Sequence, residues 1–182
     1  MRTLQNRSPR RERGAILVVS LLLLLVLTIL AVTTMRTSVF EERMAGNARD
    51  VNLAFQSSEA AARNAEQWLF SLSERPIACG ALSGCDLGIS EVVARDVLPD
   101  IRGADEDWWT ANGVQFGTDI ADIEMVADDP AYVAEELGFV RDNFLVGEAP
   151  PEGRMVYRIY SRGEGGTEVA QAVVESTFTR RF

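Results

Sequence analysis

Histidine and lysine are both absent from this 182-residue chain, and cysteine occurs only twice. Without histidine there is no Ser-His or Cys-His pair to activate a nucleophile, and no imidazole to hold a metal. The commonest hydrolase and zinc-site chemistries are thereby removed. Acids are plentiful, but no spacing among them singles out an acid/base pair, so the chain reads as a non-enzyme. Proline is missing between Pro9 and Pro76, so no residue in that stretch forces a helix to break. A basic stripe is missing beyond residue 13. The body after that point carries 13 arginines against 26 acids, which should repel phosphate backbones, and nucleic acid is not an expected partner.

An excess of positive charge is found only at the start. Residues 1–13 hold five arginines and a single acid, Glu12. Residues 15–32 are then apolar except for Ser20 and Thr28, and no charge falls between Arg13 and Arg36. Those 22 uncharged residues would span about 33 Å as a helix, enough for a bilayer core. The flanking arginines predict a cytoplasmic N-terminus and an exported C-terminal part. An uncleaved single-pass anchor with a periplasmic protein-binding domain satisfies these features. An ordinary secretory signal does not, because the run is too long and is followed by further helix formers.

Gly14, between the basic stretch and the apolar run, is where a protease at the cytoplasmic face could cut and spare the membrane helix. This arrangement resembles the class III leader of type IV pilins and type II secretion pseudopilins. The resemblance implies a leader over residues 1–14, cleavage by a prepilin peptidase between Gly14 and Ala15, and N-methylation of Ala15. Two residues depart from the family pattern. The mature chain would begin with Ala15 where most members have Phe, and Val19 stands where most have Glu. A carboxylate inside a membrane costs roughly 2.5–3.5 kcal/mol at the helix centre, so the subunits that keep one must use it. In the family it is thought to pair with the free amine of the subunit already in the fibre. A subunit with nothing ahead of it has no such amine to meet, and the apolar Val19 fits a first-in, tip-located subunit.

Beyond the anchor, Phe40, Met44, Ala48, Val51, Phe55, Ala62, Ala65, Leu69 and Leu72 recur in steps of three, four or seven, one helical face. They predict a helix from about Ala15 to about Ser73, roughly 90 Å long. It comprises a transmembrane part over residues 15–35 and a periplasmic continuation over 36–75. Residues 53–73 are expected to pack on the chain's own domain, and residues 36–52 on neighbouring subunits. Gly46, about 1 kcal/mol worse than Ala in a helix, marks an expected bend. The stretch MRTSVFEERMAGNARDVNLAFQSSEAAARNAEQWL (residues 35–69) looks like the N-terminal signature of the PilX family of minor pilins, including the run Glu41-Glu42-Arg43-Met44-Ala45-Gly46-Asn47, then Ala54-Phe55-Gln56 and Ser58-Glu59-Ala60.

The remaining residues, 76–182, predict a globular head. Cys79 and Cys85, in a segment expected outside the cytoplasm and with five residues between them, point to a disulfide-closed loop; a thioredoxin-like motif would need two intervening residues. Asp105, Glu106 and Asp107 stand beside Trp108 and Trp109. Clustered oxygens suit calcium, but the EF-hand spacing is absent, and a solvated acidic loop that carries tryptophans into the core is the plainer use. Exposed, the pair would instead anchor a partner protein. No cofactor is otherwise expected. Strands are predicted over residues 132–137, 155–161 and 169–179, the last two joined as a hairpin by the glycine-rich stretch 162–168. The fold class is therefore α+β and pilin-like: one long N-terminal helix whose second half packs on a small antiparallel β-sheet.

What the resemblance implies for function is a minor pilin that primes type IV pilus assembly. It would sit at the pilus tip with other minor pilins, the major pilin and a PilC/PilY-type adhesin. It would be anchored in the inner membrane before assembly and built into the fibre afterwards. The K-type pseudopilin of type II secretion also lacks the membrane glutamate. It carries a large inserted domain, for which about 109 residues after the helix leave little room.

Overall fold

A computed structural model describes residues 14–116, 125–142 and 152–182. The arginine-rich residues 1–13, which make up most of the leader expected over residues 1–14, lie outside them. The chain divides into two compact units, Met1–Gly46 and Asn47–Phe182. Helix α1 spans Ala15–Ser71 and contributes to both.

In the first unit, α1 is an apolar rod. Each large apolar side chain of residues 16–32 is more than half exposed among the described residues. The scattered hydroxyls are satisfied by the helix itself. Ser20 Oγ donates to the Leu17 carbonyl at 2.9 Å, and Thr28, Thr33 and Thr34 make similar bonds at 2.8 Å to Leu25, Ile29 and Leu30. A side chain bonded this way carries no unmet hydrogen bond into an apolar medium. By length and composition this is a helix that could cross a membrane. Gly46 is helical, and a Cβ there would meet nothing.

In the second unit, residues 47–71 of α1 lie on one face of a mixed sheet. Strands β1 (Ile77–Cys79), β2 (Glu91–Val93), β4 (Ala131–Arg141), β5 (Gly153–Glu164) and β6 (Gln171–Arg180) run in that order, and β3 (Val114–Gln115) pairs with β4. The three long strands are antiparallel, as expected. The sheet is wider than the sequence indicates, because β1 and β2 join it in parallel. A 3-10 turn, Ile101–Gly103, and helix α2, Glu106–Asn112, occupy the segment between β2 and β3.

Small residues on α1 allow close approach. Ala54, Ser57, Ser58, Ala61, Ala62 and Ala65 are buried, with Leu69 below them. A Cβ at Gly163 of β5 would overlap the Ser58 backbone nitrogen and stand 2.6 Å from the Ala54 carbonyl oxygen. Only glycine permits that contact. Ala61, Ala65 and Leu69 pack on Tyr132, Ala134, Met155, Tyr157 and Ile159 to form the first core. Alternation then sends Ala131 and Val133 to the opposite face, where they meet Val93, Ile101 and Trp109 in a second core.

The sequence-based boundaries shift at glycines. β4 does not stop at residue 137 but passes a register shift between Glu136 and Gly138, whose φ of 135° a bulge can use. β5 continues through Gly163, so the turn shrinks to residues 165–170 and Val169 is 92% exposed within it. α1 ends at Ser71, two residues before the expected Ser73. There the Arg180 guanidinium donates to the Leu69 carbonyl and so places a cation at the negative end of the helix.

Candidate functional site

Residues 14–46 and the head carry different features. Gly14 sits in a turn immediately before α1, and its carbonyl accepts from the Val18 N–H at 3.4 Å. A Cβ at Gly14 would meet nothing, so the fold itself makes no demand for glycine at this position. Ala15 is the first residue of α1. Val19 lies one turn further on and is 60% exposed.

On the head, Cys79 and Cys85 are disulfide-bonded, with their Cα atoms 6.2 Å apart. The loop they close lies between β1 and β2, which lets a connection of only eleven residues return in parallel. The Glu91 carboxylate braces the end of this loop: Oε2 accepts from the Asp86 N–H at 2.7 Å and lies 3.1 Å from the Cys79 sulfur. These three side chains come close enough to resemble a ligand cluster, but the sulfurs are bonded to one another and are not thiolates.

The acidic tryptophan segment is a capped helix. Asp105 is the N-cap of α2, its Oδ1 accepting from the Trp108 N–H at 3.0 Å, and Glu106 and Asp107 occupy the first turn, where negative charge is favoured. Trp109 is 1% exposed and fills the second core. Trp108, half-buried, meets it edge-on with ring centroids 5.3 Å apart. The acids thus serve to start the helix that delivers Trp109 inward.

Several features here were not foreseen from the sequence. Asp50 of α1 holds the β5–β6 turn: its Oδ1 accepts from the Gly166 N–H at 2.6 Å and its Oδ2 from the Thr167 hydroxyl. The Thr167 bond holds the Asp50 carboxyl below its ordinary pKa. Arg162 and Glu164, neighbours on one face of β5, form an ion pair at 2.5 Å with side chains only 5% and 2% exposed. Burial pushes the Glu164 carboxyl up, against the pull of Arg162. On the same face Arg158 Nε lies 3.2 Å from Glu175, which also takes Arg102 at 3.0 Å. Arg75 grips Glu136 with two bonds, at 2.6 and 3.2 Å. These pairs tie strands to loops and to the end of α1; none is arranged around a reacting centre.

Taken together, the chain presents an uncovered apolar helix and a disulfide-stapled head built on the same helix. By length and composition such a helix suits membrane anchoring. Comparison with known families agrees with it: the family model PilX N-terminal matches residues 13–63, and the model type IV pilus assembly protein PilX C-term matches residues 50–180. No curated protein and no solved structure matches the chain. The PilX family is one of pilin structural components and is not a known enzyme family. The chain belongs to the PilX family of type IV pilus assembly proteins, as a minor pilin.

Proposed function

We propose that this minor pilin primes pilus assembly and sits at the fibre tip, in a complex with other minor pilins and a PilC/PilY-type adhesin. Prepilin peptidase cuts between Gly14 and Ala15 and methylates Ala15. The mature subunit waits in the inner membrane on residues 15–35, with its head in the periplasm, and then enters the fibre. Val19 carries the reading. An apolar side chain at the fifth mature position offers no carboxylate to the amine of a subunit ahead, and a subunit at the tip has none ahead.

Mass spectrometry of the membrane form tests the processing step: the expected N-terminus is methylated Ala15, and an N-terminus still at Met1 overturns the pilin pathway. Immunogold labelling of sheared fibres tests the location. Label at fibre ends is expected, and Val19→Glu should disturb assembly. Label along the whole shaft, with assembly unaffected by Val19→Glu, overturns the tip placement.

A further inference from the structure

β6 closes one side of the sheet and, among the described residues, pairs with β5 alone. The ladder fixes which of its backbone groups face outward. The Gly165 N–H donates to the Ala170 carbonyl at 2.8 Å, in register with the β5–β6 pairing. Hydrogen-bonded pairs alternate along an antiparallel ladder, so Ala172, Val174, Ser176 and Phe178 turn their N–H and C=O groups to β5. Those of Gln171, Val173, Glu175, Thr177 and Thr179 point off the sheet.

Native edge strands are guarded by proline, lysine, a bulge or brevity. β6 has no such guard. Its sequence, QAVVESTFTR, contains neither proline nor lysine, and its register runs unbroken from Gln171 to Arg180. Its acid, Glu175, is engaged by Arg102 and Arg158. The other edge strand, β1, is three residues long.

The β6 edge also has an apolar side. Val174 and Phe178 are half-buried, and Phe178 packs on the first core. The Ser176 hydroxyl donates to Glu66 at 2.7 Å, and the Arg180 guanidinium lies 5.5 Å over the Phe70 ring. This face of α1 therefore borders β6. Phe55, eleven residues before Glu66, shares it by helical repeat. Phe55 and Phe70 are 45% and 72% exposed.

We propose that an extended segment of a different polypeptide adds to β6 as a further strand, with alternate apolar side chains turned toward Phe55, Phe70 and Phe178 of this chain. A second copy of this chain fits the edge poorly. Antiparallel self-pairing about a two-fold axis reverses the direction of the second β6. It also reverses the helices: α1 meets β6 in matching order, Glu66 at Ser176 and the Leu69 carbonyl at Arg180, so the two run in the same direction. A two-fold axis would then point the residue-47 ends of the two helices in opposite directions, against anchoring in one membrane. The inference rests on the reading of this chain as a subunit of a multi-protein pilus complex.

Photo-cross-linking of the full chain in native membranes tests it, with a benzophenone amino acid placed at Val173 and, separately, at Thr177. The expected result is an adduct to a peptide of another polypeptide whose apolar residues alternate. Thr177→Pro removes an outward N–H and spares the β5 ladder, so it should lower the Val173 adduct about tenfold or more, whereas Thr177→Ala should not. Retention of the Cys79–Cys85 bond and of protease resistance checks that the head is folded. If Thr177→Pro does not fold, the mapped adducts of the two labelled chains decide alone. No adduct from either position, an adduct to another copy of this chain, or a folded Thr177→Pro with undiminished yield overturns the proposal. An adduct formed by a chain that is missing from sheared fibres leaves the strand pairing standing and removes the tip reading.

Discussion

Asp50 and Gly166 are 116 positions apart in the chain, yet a carboxylate oxygen of one accepts the backbone N–H of the other at 2.6 Å. With the Thr167 hydroxyl on its second oxygen, Asp50 fastens the β5–β6 turn to α1 near the start of the head. Asp50→Ala should free this turn while the sheet stays paired. Limited proteolysis should then cut within residues 165–170 several-fold faster than in the native chain. The acid dependence has a fixed sign. The folded pKa lies below the ordinary 3.8, so the clamp's contribution is complete above that value and is lost as pH falls through the depressed folded value. Asp50→Asn should remove that part of the acid sensitivity, as read from hydrogen exchange at Gly166.

Gly163 sets the distance between α1 and β5. Gly163→Ala places a methyl group on the Ser58 backbone nitrogen, where no side chain can move aside. The expected cost is about 1–3 kcal/mol or more in denaturant unfolding of the head. Gly46→Ala, by contrast, meets nothing and should raise helix stability by up to about 1 kcal/mol.

The Arg162–Glu164 pair should behave as a buried charge pair. Glu164→Ala leaves the guanidinium buried without its partner, and a loss of roughly 3–5 kcal/mol is expected. Arg162→Met with Glu164→Leu should recover most of it. Equal stability of the single and double variants, measured by chemical denaturation, would contradict this account.

Reduction of Cys79–Cys85, or Cys85→Ser, reopens a short loop and should cost about 2–3 kcal/mol. Because β1 and β2 pair only over three residues, the loss should show first as hydrogen exchange in residues 77–93, with the β4–β5–β6 ladder still protected.

Much of this molecule was legible in one dimension because its signals are local. The apolar run, the uninterrupted helical face, the cysteine spacing and the alternation of the last strands each depend on neighbours a few residues away. Periodicity placed α1 to within two residues of its end. Glycine was the point of failure. Gly138 and Gly163 both resemble terminators, and both are interior to strands: one serves a bulge, and the other makes room for the Ala54–Ser58 backbone. A glycine needed for long-range contact looks, in sequence, like one needed for a turn.

The tryptophans illustrate the same limit. Acids beside Trp108 and Trp109 suit a cation loop, a core segment or a binding patch in sequence, with the core segment the plainer use. The structure shows Asp105 capping α2 and Trp109 covering Ala131 and Val133 on the second face of the sheet. The sequence alone determined the membrane-length apolar helix, the α+β class and the family signature, since each is written in residue types at fixed short spacings. The tertiary structure decided how β1 and β2 widen the sheet, where Asp50 finds its partners, and that β6, among the described residues, pairs with β5 alone. Those relationships depend on residues far apart in the chain, which only strand pairing and the packing of α1 on the sheet bring together.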